Sequence, residues 1–231
     1  MSAMRAHGQW PLVRAAVGGV AASVAGYLVA FLWVGGGFAG AVRGVPVRVR
    51  SFATASTVPD PTLLELVGAV PRTTLAAWVH ANAHLVRVVE WSYPTTGATV
   101  PNLLLAGEPG RLLLFAVPPA LLGLAGAILA RGTTPGTYDE LPLVRLALPA
   151  GAVRGTAVWV GYLPAAVLAA FVASAPTSNP SLAPFAPGLV GTVVLMGFVY
   201  PLVFGGLGGW LATRVVAARA PGEPDRSRPA G

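Results

Sequence analysis

Four stretches of this chain, Ala15 to Val34, Leu112 to Ala130, Thr156 to Ala175 and Gly188 to Thr213, contain no charged residue. Each is close to the roughly 20 apolar residues a helix needs to cross the hydrocarbon of a bilayer. In lipid no water satisfies stray backbone groups, so stretches of this kind are restricted to helices that close their own hydrogen bonds. The predicted fold class is therefore all-α: a polytopic membrane helix bundle of four transmembrane helices plus an interfacial amphipathic helix. The predicted layout is a short tail over 1–14, an integral membrane domain over 15–218 and a disordered tail over 219–231, rich in Pro, Arg and Gly.

Composition agrees with that constraint. Only 10% of the 231 residues are charged and the mean hydropathy is +0.69, whereas a soluble domain carries about 25% charged residues. With no cysteine, disulfides, thiolate nucleophiles and cysteine-ligated metals are excluded. The net charge of +7 comes from 15 arginines, without lysine, against 8 acids. These arginines stand at the ends of apolar runs, where they anchor helices and set orientation. A nucleic-acid surface would gather them on one face among aromatics, so no nucleic acid is expected. The run from Ala15 to Val42 is uncharged over 28 residues, too long for the h-region of a signal peptide. It reads as an uncleaved first helix despite the small residues Ala39-Gly40-Ala41.

The long first connection carries most of the polar residues. Arg43 to Arg50 reads as a loop or interfacial strand around Pro46. Asp60-Pro61 looks like an N-cap with proline at the first helical position, opening a short helix over about 61–70. Pro71 ends it, and a second helix is predicted over about 73–91, capped by Thr73 or Thr74. There His80, His84 and Arg87 fall at i, i+4 and i+7, a polar stripe that suits a helix lying in the interface. His80, Asn82, His84, Arg87 and Glu90 form the candidate interaction surface, with Arg87 and Glu90 as an i,i+3 ion pair.

Orientation rests on counting arginines. With both termini in the cytoplasm of a four-span protein, nine lie inside: Arg5, Arg14, Arg131, Arg145, Arg154, Arg214, Arg219, Arg226 and Arg228. If 73–89 also crossed, with the N-terminus outside, eleven would lie inside. Charge alone prefers five spans, while the burial of His80, Asn82 and His84 in so short a helix opposes them.

Small residues recur every fourth position, as Gly18, Ala22 and Gly26 in the first span. Gly197, Gly205 and Gly209 do so in the last, with Pro201 in register between them. Such faces let helices approach closely in lipid. They are read first as packing within this bundle and second as a homodimer face.

Catalytic and metal motifs are weak. His80 and His84 lie about 6 Å apart on one helix face, yet position 81 is Ala where a zincin has glutamate, so no metal site is assigned. Gly35 to Gly40 matches a dinucleotide fingerprint, but it ends a membrane helix instead of joining a strand to a helix. No cofactor is expected. Asp139-Glu140 is a solvated pair in a loop. The four spans hold hydroxyls, Ser23, Tyr27, Thr156, Tyr162, Thr192 and Tyr200, and no ionisable carboxylate or amine, which argues against a proton-coupled transporter acting as a monomer.

Gly26-Tyr27-Leu28-Val29, Asn82-Ala83-His84-Leu85-Val86, the proline-centred second helix and Tyr200-Pro201-Leu202-Val203-Phe204-Gly205 together resemble a family of uncharacterised multi-pass transmembrane proteins of halophilic archaea. The resemblance implies an archaeal cell membrane and no assigned activity or site. The expected function is that of a non-enzymatic structural or accessory membrane subunit. The alternative is a small permeation or transport protein whose path runs between protomers, and a lipid-directed enzyme using His80, His84 and Glu90 ranks third. The expected partners are the lipid bilayer and a second copy or another membrane protein.

Overall fold

The computed structural model describes residues 3–34, 45–46, 48–50, 62–68, 70–90, 97–105, 109–131, 149–177 and 183–219. Four helices are long and apolar enough to cross a membrane: Pro11–Val34, Gly110–Arg131, Ala150–Val172 and Leu189–Val215. They are called the first to fourth spans below. Leu12, Val13, Val17, Val20, Val24 and Leu28 are exposed along the first span, as are Leu124 and Ile128 on the second and Val190, Val194 and Leu207 on the fourth. Inward faces carry the small residues. That inversion of the soluble pattern is what a lipid solvent allows, since lipid tails do not drive apolar side chains together.

The first span belongs to α1, Ala3–Val34, which runs through Pro11. The expected tail over 1–14 is thus helical from Ala3 onward. The second span opens as a 3₁₀ helix, Pro109–Ala116, and continues as α4, Val117–Arg131. Pro118 and Pro119 lack the N–H that an α-helix would direct to the carbonyls of Leu114 and Phe115, and the tighter 3₁₀ geometry precedes them. The third span is α5, Ala150–Thr156, followed after a two-residue break by α6, Trp159–Val172. It begins six residues before the uncharged run because Pro149 sets its start and admits Arg154.

The fourth span starts with α7, Leu189–Gly191, and ends in α8, Gly206–Arg219. Between them the turns widen to π-helix over Thr192–Val199 and Pro201–Gly205. Pro201 again removes a donor, and the wider i→i+5 turn is one way a membrane helix reorganises around it. Arg219 closes α8, and the remainder of the tail expected to be disordered lies outside the described residues.

Two further helices sit in the first connection. α2, Leu63–Val67, is capped by Thr62: Glu65 N–H donates to the Thr62 hydroxyl, and Thr62 N–H donates to Glu65 at 2.6 Å. This capping box displaces the expected cap at Asp60, which lies outside the described residues. The Thr62 amide holds the Glu65 carboxyl below its ordinary value. α3, Arg72–Ala83, is shorter than the expected helix over 73–91. It ends at a Schellman turn in which Val86 N–H bonds Ala81 carbonyl and Leu85 N–H bonds Asn82 carbonyl. The position that favours glycine in such a turn is Leu85, at φ +63°. Because the Leu85 side chain is exposed, Leu85→Gly is expected to stabilise the protein by about 1 kcal/mol through relief of left-handed strain. A lower thermal midpoint in detergent would contradict this.

A small antiparallel sheet covers one end of the bundle. Its strands are β1 Arg48–Arg50, β2 Val88–Glu90, β3 Gly97–Val100 and β4 Phe185–Pro187, in the order β1-β3-β2-β4. Arg48 pairs with Thr99, Val88 with Val100, and Glu90 with Phe185. This resolves the choice between four and five spans. β1 precedes α3 and β3 follows it, and two strands in one sheet cannot lie on opposite sides of a bilayer, so α3 does not cross. β4 comes from the connection between the third and fourth spans, which therefore lies on the same side.

Two hydrophobic clusters follow from this arrangement. One, with Trp78, Leu103, Leu104 and Phe185, sits between the sheet and the helix ends. The other, with Ala81, Leu122, Val158, Tyr162 and Met196, fills the bundle.

Candidate functional site

α3 dips from the sheet side into the bundle, and its partners give the depth. Near its start Arg72 donates to the Phe31 carbonyl at 2.9 Å and lies 4.1 Å from the centre of the Phe31 ring, close to the end of the first span. Trp78 Nε1 donates to the carbonyl of Ala173, just beyond the third span, at 2.7 Å. By its last turn α3 reaches Tyr162, ten residues inside the third span, or roughly 15 Å along a helix axis. Irregular backbone at such depth is tolerated only where protein surrounds it.

The polar stripe expected to face headgroups or water instead faces the bundle: His80, Asn82 and His84 are 3%, 0% and 0% exposed. His80 and His84 do share a face, with ring centres 4.9 Å apart. Arg87 is exposed and off that stripe, because α3 has already ended at Ala83. Its expected ion pair with Glu90 does not form, since three residues apart on an extended chain put side chains on opposite faces. Glu90 is buried and accepts from Ala183 N–H at 2.9 Å through Oε1.

Asn82 ties two turns together. Its Nδ2 donates to Val86 carbonyl at 2.8 Å, and its Oδ1 accepts from Leu103 N–H at 2.6 Å. Its own carbonyl accepts from Asn102 Nδ2 at 3.0 Å, while Asn102 Oδ1 accepts from Leu104 N–H at 2.9 Å. His84 Nδ1 lies 2.8 Å from His80 carbonyl, an acceptor, so it carries the ring proton. Nε2 then accepts from the Tyr162 hydroxyl at 2.6 Å. The Tyr200 ring packs 4.8 Å from His84, with its hydroxyl 3.4 Å from Ala83 carbonyl.

His80 sits against Gly26, where a Cβ would come within 2.5 Å of its Cε1. Its Nε2 is buried and unpaired, as are Glu90 Oε2 and Thr192 Oγ1. Beside it is a cavity of about 10 Å³, lined by Gly26, Ala30, Leu114, Val117 and Pro118 among others, close to the smallest volume that holds one water. Burial holds both imidazoles below the ordinary histidine value, His84 at about 4, against a smaller upward pull from the bond to His80 carbonyl. His80 lies well below it, with the neighbouring His84 adding to burial.

Tyr162 and Tyr200 come from separate spans, and the sequence marked them only as mid-span hydroxyls. Removing the Tyr162 hydroxyl strands a buried acceptor, so Tyr162→Phe is expected to cost about 1 to 3 kcal/mol. Thermal unfolding in detergent reads this, and a change below about 0.5 kcal/mol would refute the bond. Among the described residues no group of three or more His, Asp or Glu side chains could hold a metal.

The small-residue faces meet partners within the chain. Gly18 faces Leu129 at 3.8 Å, Gly26 faces His80, and Gly197 abuts Leu163. Gly205 lies against Gly155, and Gly209 against Gly151. Ala22 and Pro201 are buried.

One family model, described as a family of unknown function (DUF7978), matches residues 2–216. No curated protein and no solved structure matches the chain.

Proposed function

We propose, from the premise that the chain belongs to DUF7978, a family of unknown function, that it is a non-enzymatic multi-pass protein of the cell membrane serving as a structural or accessory subunit. The observation that carries this reading is the use made of the polar residues of α3. Asn82 commits both ends of its amide to backbone groups and His84 commits both ring nitrogens. Groups suited to interfacial chemistry therefore hold the shape of the chain. A lipid-directed enzyme is disfavoured, because His80, His84 and Glu90 are withdrawn from the surface.

Two open grooves lie elsewhere among the described residues: about 570 Å³ between the first and second spans, and about 390 Å³ between the second and fourth. Their linings are apolar except for Arg14, near the start of the first span, and Arg131, at the end of α4, and neither offers a nucleophile or an acid–base pair.

Cytoplasmic termini are supported by the arginine count: Arg14, Arg131, Arg154 and Arg214 stand near span ends on one side, against Arg72 and Arg111 on the other, while Arg43, Arg48, Arg50 and Arg87, also outside, belong to a connection long enough to weigh little. The resemblance to proteins of halophilic archaea supports an archaeal membrane. Affinity purification from native membranes is expected to recover a stoichiometric partner, either another membrane protein or a second copy, and purified protein in liposomes is expected to pass no protons or small solutes. Flux that Tyr162→Phe or His84→Gln abolishes would overturn the reading in favour of permeation. That second reading has one specific support, the unpaired His80 Nε2 at membrane depth.

A further inference from the structure

Among the described residues, φ falls in the left-handed region at two positions, Gly68 at +67° and Leu85 at +63°. They bracket α3. Gly68 precedes its first residue by four positions and Leu85 follows its last by two, so the helix that enters the bundle without crossing it hangs between two turns.

We infer that the seating of α3 is acid-released: proton uptake by His80 and His84 draws the helix out of the bundle about Gly68 and Leu85. The seat it leaves offers an imidazolium acceptor oxygens, the His80 carbonyl and the Tyr162 hydroxyl, but no opposite charge to offset its burial. From the first span, His80 meets Gly26, whose missing Cβ makes room for the ring; Tyr27 bonds Thr73 carbonyl near the start of α3. From the second span, Leu114, Val117 and Pro118 line the cavity beside His80. The third span presents Tyr162 and the fourth Tyr200. On α3 itself each histidine faces the other. No carboxylate stands among these groups: β2, which also packs against α3, carries the buried Glu90, but that carboxylate accepts from Ala183 N–H. The seated state also leaves His80 Nε2 unpaired in a buried site, a cost that water removes once the helix withdraws.

The sign follows from linkage. Withdrawn histidines titrate near the ordinary value of about 6.5, while seated His84 stays neutral down to about 4 and His80 resists protonation in the same direction. Well above pH 6.5 neither state holds the extra protons, and pH has no effect on the seating of α3. Between about pH 6 and 4.5 the withdrawn state binds close to two more protons, so its population rises by a factor approaching about 100 per pH unit.

Hydrogen–deuterium exchange of the full-length protein in detergent, corrected for intrinsic rates, tests this. Protection over residues 72–86 is expected to fall by a factor approaching about 100 per pH unit between about pH 6 and 4.5, while residues 117–131 keep theirs. In His80→Leu, or in His80→Gln should the leucine variant not fold, the slope is expected to drop to about 10-fold. Unchanged protection over 72–86, parallel loss over 117–131, or an undiminished slope in the folded variant overturns the inference.

Discussion

Gly126→Ala is expected to destabilise the protein by about 3 kcal/mol, an effect at the upper end of overpacking costs. The added methyl would strike the carbonyl of Gly205 and lie 2.7 Å from its carbon and 2.8 Å from its Cα. Every one of those atoms is backbone, so no rotamer relieves the collision. Gly155 approaches the same carbonyl from the third span, and the second, third and fourth spans thus converge on one peptide group. In lipid, where close van der Waals contact replaces apolar burial as the force between helices, separating that junction weakens three interfaces together. Gly18→Ala is the matched control: its methyl would meet Leu129 at an ordinary 3.8 Å, and a change within about 0.5 kcal/mol is expected. Because both collisions fall on the same carbonyl, Gly126→Ala and Gly155→Ala combined are expected to cost less than the sum of the two. Equal thermal midpoints for Gly126→Ala and Gly18→Ala would show that the spans do not meet there.

Asn82→Ala carries the second large expected effect, again about 3 kcal/mol. It removes a donor from Val86 carbonyl and an acceptor from Leu103 N–H, both within a buried setting, and each stranded backbone group costs about 1 to 3 kcal/mol. Asn82→Asp separates the two roles. A carboxylate still accepts from Leu103 N–H but sets an oxygen against Val86 carbonyl and buries a charge, so it is expected to be no better than alanine. Exchange at residues 102–105 is expected to rise in both variants, since their turn is held to α3 through Asn82 and Asn102. A normal melting point in Asn82→Ala would remove Asn82 from this role.

The four spans were legible because an uncharged run of about 20 residues has few structural outcomes. Their ends were less so. Pro149 carries the third span back to Ala150, past Arg154, whose long side chain can reach toward the polar boundary. The sheet had almost no signature: each strand is three or four residues long, too short for alternation to register, and β4 lies 85 positions beyond β3. At α3, the i,i+4 spacing correctly put His80 and His84 on one face. It could not tell which way the face points. A polar stripe turns outward on a soluble or surface-bound helix, but within a bundle in lipid the protein interior is where such groups find partners. Those partners, Tyr162 and Tyr200, stand about 80 and 120 residues downstream of α3, and spacing within one helix does not encode them.

The sheet also fixes an order of events in synthesis. β1, β2 and β3 leave the ribosome with the first connection, but β2 acquires its second neighbour only when Phe185–Pro187 has been made. Until the third span has been inserted, Glu90 lacks the amide of Ala183 and Trp78 lacks the carbonyl of Ala173. The first hundred residues are thus an unfinished half that waits at the membrane with one strand edge open, and the last hairpin of spans completes it.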